Sequence, residues 1–122
     1  MKPSPRRAAI LSTGSSTPSQ VLTNAALIER FGLPVDPEWI EERTGIRERH
    51  WLEPGGTTSD LLVAAGERAL AEAGCGAADL DRIVVATITP DMPSPSTACI
   101  VARRLGARCT AFDVSAACAG FL

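Results

Sequence analysis

Two short apolar runs separated by a helical pattern most constrain what this chain can fold into. Ile83-Val-Val-Ala-Thr-Ile88 is a continuous run rich in β-branched residues, and Thr110-Ala-Phe-Asp-Val114 is a second strand-like run. Continuous apolar runs are typical of strands that are buried on both faces, and such strands pair in parallel. Parallel strands need right-handed crossovers through helices, so the pattern predicts a layered α/β domain.

Capping residues and glycines mark where the helices begin and end. Asp36 takes an N-cap position, Pro37 follows it, and Gly45 closes the short polar helix between them. Thr57 and Asp60 form a capping-box pattern before a longer, alanine-rich helix. The predicted order is β-α-α-α-β-α-β-α: a strand over residues 8–12, a helix from Thr23 or Asn24 to Gly32, helices ending at Gly45, Gly74 and Gly106, and a last helix after Ser115.

Charge and hydropathy exclude several classes of protein. The chain has 122 residues, 12 basic and 14 acidic, and these are intermixed, so no basic patch indicates nucleic acid or an anionic membrane. The longest apolar run is far shorter than the roughly 20 residues that cross a bilayer. The segment Met1–Arg7 has no apolar signal-peptide core after it, so we expect a cytoplasmic protein with small molecules or proteins as partners.

The cysteines do not form a metal-binding pattern. Cys75, Cys99, Cys109 and Cys118 contain no Cys-x-x-Cys pair, and His50 is the one histidine, so we predict no metal site. In a reducing compartment these cysteines are expected to be free thiols. Cys75 lies next to glycines, Cys99 on the apolar stripe of a helix and Cys109 at the start of a strand, and these positions indicate structural roles. Cys118 is therefore the candidate reactive thiol.

Cys118 lies between a strand and a predicted helix, among small residues. Unpaired N–H groups at a helix start favour a thiolate and can hold a developing oxyanion. The neighbours Ala116, Ala117, Ala119 and Gly120 leave room for a substrate. The alternative is that Cys118 is a small buried core residue, which is the commoner fate of a free cysteine.

Several blocks of the sequence resemble one family, the β-ketoacyl-acyl-carrier-protein synthase III enzymes of the thiolase superfamily. The most specific are Arg43-Thr-Gly-Ile-Arg-Glu-Arg-His50 and Ala111-Phe-Asp-Val-Ser-Ala-Ala-Cys-Ala-Gly-Phe121, supported by Thr13-Gly, Glu38-Trp-Ile and Pro95-Ser. The resemblance implies a thiolase-like layered fold, α-β-α-β-α in the complete enzyme. Residues 1–122 are then expected to be the N-terminal part of that domain, ending just after the nucleophile.

The resemblance also implies roles for individual residues. Cys118 takes an acyl group from acyl-CoA and passes it to the carbanion formed when malonyl-acyl carrier protein loses carbon dioxide. Acyl-CoA is a substrate, and no cofactor is implied. Trp39 and Arg43 match residues that flank the adenine of coenzyme A. They lie four apart on one helix face, although Arg43 covering a half-buried Trp39 explains the pair equally well. A homodimer is implied for the complete enzyme.

Two positions depart from the family pattern. Ser94 stands where some members carry a bulky aromatic that reaches into the partner subunit's acyl pocket, so we expect a pocket that tolerates acyl groups longer than acetyl or branched. Val35 stands where some relatives carry a hydroxyl residue that assists CoA binding. The family's catalytic histidine and asparagine lie beyond Cys118, so these residues alone are not expected to catalyse condensation, and we expect them to aggregate or fold partly in isolation.

Two other functions remain open at the level of sequence. One is a same-fold acyltransferase of natural-product biosynthesis that passes the acyl group to another nucleophile. The other is a non-catalytic partner subunit that serves chain-length control or assembly. Retention of Cys118 among small residues argues against the second function. The same-fold acyltransferase needs a general base in its site, whereas a condensing enzyme needs a site that stabilises an enolate.

Overall fold

A computed structural model describes residues 8–121 of the chain. The segment Met1–Arg7, on which the expectation of no signal peptide rests, lies outside the described residues. Two short 3-10 helices, Ala77–Asp79 and Ala117–Phe121, accompany the regular elements. These elements are β1 (Gln20–Thr23), α1 (Asn24–Phe31), α2 (Pro37–Thr44), β2 (Glu48–Trp51), α3 (Thr58–Ala73), β3 (Arg82–Ala86), α4 (Thr97–Leu105) and β4 (Thr110–Val114).

The described chain forms two compact units. Residues 17–57 make one unit, which holds β1, α1, α2 and β2. The described residues on either side of that segment make the other, which holds α3, β3, α4 and β4. Both units combine helices with strands, as the predicted α/β class requires. No helix within residues 8–121 has the length and apolarity to span a bilayer.

The two strands predicted from the apolar runs pair in parallel, as expected. Arg82 of β3 lies opposite Thr110 of β4, and Ala86 lies opposite Val114. The intervening helix α4 packs on both strands and contributes most of the buried residues in this unit. Its crossover is the short helical connection that parallel strands require.

The apolar runs predict that this sheet is buried on both faces, and for the described residues that prediction is wrong. Val85 is 4% exposed, whereas its neighbour Val84 is 50% exposed and Phe112 on β4 is 40% exposed. Successive side chains of a strand point to opposite faces, so one face is covered and the other is open.

The strand predicted over residues 8–12 is absent from the structure. Ile10 and Leu11 are largely exposed, and the Ser12 hydroxyl donates a hydrogen bond to the Ala69 carbonyl of α3 at 2.7 Å. A strand needs a neighbouring strand to take its backbone hydrogen bonds, and among the described residues none pairs with this segment. The chain follows α3 instead.

The antiparallel pair of β1 and β2 was missed from the sequence. Gln20 lies opposite Trp51, and Thr23 lies opposite Glu48. The residues of β2 are mostly charged or polar, so neither strand propensity nor alternation marks them. The pair forms because buried Leu22 contributes to the core of this unit.

The predicted starts of α1 and α2 and the predicted ends of α1, α2, α3 and α4 are confirmed. Thr23 caps α1, Asp36 caps α2 and Ser96 caps α4, each through a side-chain oxygen that accepts a backbone N–H. Each of the four helices is followed by the predicted glycine in the left-handed conformation: Gly32, Gly45, Gly74 and Gly106.

Candidate active site

Cys118 lies just beyond the carboxyl end of β4, on a tight turn. The thiol is exposed and belongs to the 3-10 helix Ala117–Phe121, where an α-helix was predicted. Ala117 directly before it has a φ of 44°. A non-glycine residue in this region costs on the order of 1–2 kcal/mol, and such strain concentrates at functional sites.

Close backbone packing holds this turn against the end of β3. A Cβ atom placed on Gly120 would lie 3.0 Å from the Cβ of Ala86, the last residue of β3. The turn also closes on itself, since the Ala119 N–H donates to the Ala116 carbonyl at 3.0 Å. Cys118 is therefore placed at the carboxyl edge of a parallel sheet, which is where α/β proteins bind their ligands.

Asp113 fastens β4 to the start of α4, and sequence reasoning did not single it out. Its two carboxylate oxygens accept the backbone N–H groups of Thr97 and Ala98, each at 2.8 Å. An acidic group at a helix start also complements the helix dipole. A charged residue inside an otherwise apolar strand was the available signal in the sequence.

Ser94 is exposed in the loop between β3 and α4, which we call the 87–96 loop after its residues. The peptide bond between Ser94 and Pro95 is cis. The loop is anchored to α3 at two points: the Thr58 hydroxyl donates to the Thr89 carbonyl at 2.7 Å, and the Ser59 N–H donates to Asp91 at 3.0 Å. Ser94 thus stands on the exposed part of a loop whose base is held.

Trp39 and Arg43 lie on α2, in the compact unit of residues 17–57, and they contact each other. The guanidinium carbon of Arg43 lies 5.3 Å from the centre of the Trp39 ring, and Trp39 is 47% exposed. This is a cation–π contact. A base sandwiched between them needs two contacts of about 3.5 Å, or roughly 7 Å in all, so the pair as it stands leaves no room for one.

Two basic residues in the unit of residues 17–57 make internal contacts. Arg49 donates to the Asn24 side-chain oxygen at 2.7 Å and to the Leu22 carbonyl at 3.3 Å. Arg47 forms an exposed ion pair with Glu41 at 2.6 Å. Exposed pairs of this kind contribute little to stability.

His50 makes a structural contact. Its Nδ1 lies 2.7 Å from the Pro18 carbonyl, so the ring donates at that atom and ties β2 to the segment before β1.

The other thiols have surroundings unlike those of Cys118. Cys75 and Cys109 are half-buried. Cys99 is exposed rather than packed on a helix stripe, and its sulfur lies 3.2 Å from the Ser96 hydroxyl and 3.6 Å from the Ala111 carbonyl. None of the three is preceded by a left-handed alanine, as Cys118 is.

The known proteins to which this chain is similar are all described as ketoacyl synthases or as 3-oxoacyl synthases in the three comparisons that follow. The chain is 53% identical over 116 residues to the β-ketoacyl-[acyl-carrier-protein] synthase III of Roseiflexus castenholzii, covering 94% of this chain and 34% of the relative. Two crystal structures are also similar. The 3-oxoacyl-[acyl-carrier-protein] synthase III of Aquifex aeolicus has a TM-score of 0.84 at 43% identity, covering 92% of this chain and 36% of that one. The priming β-ketosynthase of the R1128 polyketide pathway has a TM-score of 0.83 at 41% identity, covering 92% and 33%.

No protein-family model matches the sequence. The chain spans about a third of the length of the relatives it matches. Within that third, both the sequence and the thiolase-like α/β fold agree with the relatives. The resemblance indicated by the sequence blocks is therefore confirmed. This chain is similar, over nearly its whole length, to about one third of a β-ketoacyl-acyl-carrier-protein synthase III.

Proposed function

We propose that this chain supplies the nucleophile of an acyl-CoA-primed β-ketoacyl-acyl-carrier-protein synthase III, a transferase of fatty acid or related biosynthesis. The observation that carries the proposal is the exposed thiol of Cys118 on a strained turn at the carboxyl end of β4. A thiol placed there is open to an incoming thioester.

The chemistry at Cys118 proceeds in two steps. The thiolate attacks the acyl-CoA carbonyl, the bond from that carbonyl to the CoA sulfur breaks, and CoA leaves as its thiol after taking up a proton. Malonyl-carrier protein then loses carbon dioxide, and the carbanion attacks the acyl-cysteine carbonyl. The carbon–sulfur bond to Cys118 breaks, which returns the thiolate and releases the β-ketoacyl-carrier protein.

For the adenine of coenzyme A we propose Trp39 as the stacking surface. Its ring is half exposed and its one described cationic contact is Arg43. Because the present 5.3 Å separation is too short for a base between them, Arg43 has to swing off the ring face when the adenine binds. The guanidinium then covers the outer face of the base.

The exposed serine on the 87–96 loop leads to a prediction about chain length. We propose that Ser94 leaves the acyl pocket room for groups longer than acetyl or branched, because it removes the bulk that an aromatic side chain would place there. In competition between acetyl-CoA and longer or branched acyl-CoAs, the longer or branched groups are expected on the enzyme in at least equal amounts. Strict acetyl preference would contradict the proposal.

Intact-mass measurement of the complete enzyme tests the proposed function. Incubation with acyl-CoA is expected to add one acyl group on the peptide that contains Cys118. Addition of malonyl-carrier protein is expected to remove that group and yield the β-ketoacyl product. An adduct that persists with malonyl-carrier protein but is discharged by an alcohol or amine would favour the natural-product acyltransferase. No adduct at all would favour a non-catalytic partner.

The remaining assignments follow from the same proposal. Residues 1–122 are the front part of one condensing-enzyme domain, and the histidine and asparagine of the site come from elsewhere in the enzyme. The enzyme is a cytoplasmic homodimer that takes acyl-CoA and malonyl-acyl carrier protein. The share of each relative that the chain covers, about a third, supports the first of these statements.

A further inference from the structure

The 87–96 loop is connected to the strand that leads to Cys118 at both of its ends. At its start, the Thr87 N–H donates to the carbonyl of Val114, the last residue of β4, at 3.1 Å. At its end, the loop runs into α4, whose first two N–H groups are held by Asp113. The loop that carries Ser94 and the turn that carries Cys118 therefore share their supports.

Thr97 is the residue at which these supports meet. Its side-chain oxygen accepts the Asp91 N–H at 3.1 Å, and its own N–H donates to the Asp113 carboxylate at 2.8 Å. Thr97 is completely buried, so its oxygen has no exposure to bulk water. A buried backbone N–H that loses its partner is costly, so the Asp91 end of the loop depends on this hydroxyl.

The same segment is held from the side of α3. The Asp91 carboxylate accepts the Ser59 N–H, and Ser59 is itself buried and bonded through its hydroxyl to Arg104 of α4 at 3.0 Å. Asp91 is thus fixed by two different elements, through its backbone and through its side chain. Ser94, three residues later, takes its position from this fixed point.

We propose that Thr97 is a specificity-determining positioning residue: its hydroxyl fixes the loop that carries Ser94, and the position of Ser94 in turn sets the acyl-chain selection of the pocket that this residue borders. It touches neither thiol nor substrate. Its effect runs through Asp91 on one side and Asp113 on the other. The inference rests on the proposed function for the identity of the reaction. The coupling between Thr97 and the 87–96 loop rests on the hydrogen bonds alone.

The test compares Thr97→Val with Thr97→Ser in the complete enzyme. Valine keeps the shape of threonine and removes the hydroxyl, whereas serine keeps the hydroxyl. The rate of acylation of Cys118 is measured by mass spectrometry with acyl-CoAs from acetyl to octanoyl. Loss of the bond that holds Asp91 is expected to reduce the ratio between the best and the poorest acyl group about fivefold in Thr97→Val. Thr97→Ser is expected to restore it.

A purely structural role of Thr97 would lower acylation with every acyl-CoA alike and leave that ratio unchanged, which would overturn the inference. A wild-type enzyme without chain-length discrimination would also overturn it. Should Thr97→Val not fold, Asp91→Ala removes the bond to the Ser59 N–H and is expected to reduce the ratio in the same way. An unchanged ratio in that variant would overturn the inference as well.

Amide hydrogen exchange separates this inference from the proposed function. Exchange of the Asp91 N–H is expected to be faster in Thr97→Val and unchanged in Thr97→Ser. If wild-type Cys118 accepts no acyl group, the proposed function has failed and the selection of acyl chains falls with it, while faster exchange in Thr97→Val alone still supports the coupling. Equal exchange in the two variants would overturn the coupling itself.

Discussion

Replacement of Cys118 by alanine is expected to abolish acylation and condensation in the complete enzyme. Without the sulfur no covalent intermediate forms, and removal of a catalytic nucleophile lowers turnover by about 1,000-fold or more. The fold is expected to survive, because the side chain is exposed and alanine accepts the same backbone conformation. The measurement is the formation of β-ketoacyl product together with the intact mass after incubation with acyl-CoA.

Cys99→Ala is the matched control for this substitution. Cys99 is also exposed, lies in the same compact unit and in the first turn of α4, with its sulfur 3.6 Å from the Ala111 carbonyl of β4, but it lacks the strained turn. We expect it to keep the acyl adduct and the wild-type rate within about twofold. An adduct that survives in Cys118→Ala, or that disappears in Cys99→Ala, would show that the wrong thiol has been assigned.

Substitution of Gly14 by alanine is expected to be the most destabilising of the conservative changes in this chain. A Cβ atom at this position would overlap the Ala65 carbonyl oxygen and lie 2.7 Å from the Ala69 backbone nitrogen. Both atoms belong to the backbone of α3, which cannot move aside as a side chain does. We expect a loss of about 3 kcal/mol in the free energy of unfolding, measured by urea denaturation of the complete enzyme.

Gly66→Ala is the control for the stability measurement. This glycine lies inside α3, and an added Cβ would meet the end of the Leu105 side chain at 3.3 Å. A flexible side chain can adjust by a few tenths of an ångström, and alanine is favoured over glycine in a helix by up to about 1 kcal/mol. The expected change is therefore small or stabilising. Equal losses in the two variants would mean that residues 12–15 do not pack on α3 as described.

The helices of this chain were predictable because their signals are local. Thr23, Asp36 and Ser96 satisfy the first N–H groups of their helices whatever surrounds them, and the glycines after each helix adopt a conformation that other residues avoid. The parallel pairing of β3 and β4 was also predictable, because two apolar runs separated by one short helix have few other ways to bury themselves.

The segments 8–12 and 20–23 show where sequence reasoning failed. The first is apolar and was predicted as a strand, but strand formation depends on a neighbour, and no described strand lies beside it. The second ends at the helix cap Thr23 and pairs with the mostly polar segment Glu48–Trp51, which carries no strand pattern of its own. Pairing between distant segments is a tertiary property, so neither outcome could be derived from local pattern.

By itself, the sequence determined the class of fold, the helix ends, the relationship to condensing enzymes and the identity of Cys118 as the thiol of interest, because each of these depends on residue type and local spacing. Only the tertiary structure decided how the site is held. The two bonds from Asp113 to the start of α4, the junction at buried Thr97 and the contact of Gly120 with Ala86 join residues from separate elements. Hydrogen bonds and close packing of this kind exist only once the chain has folded, since they require atoms that are far apart in sequence to lie within about 3 Å of each other.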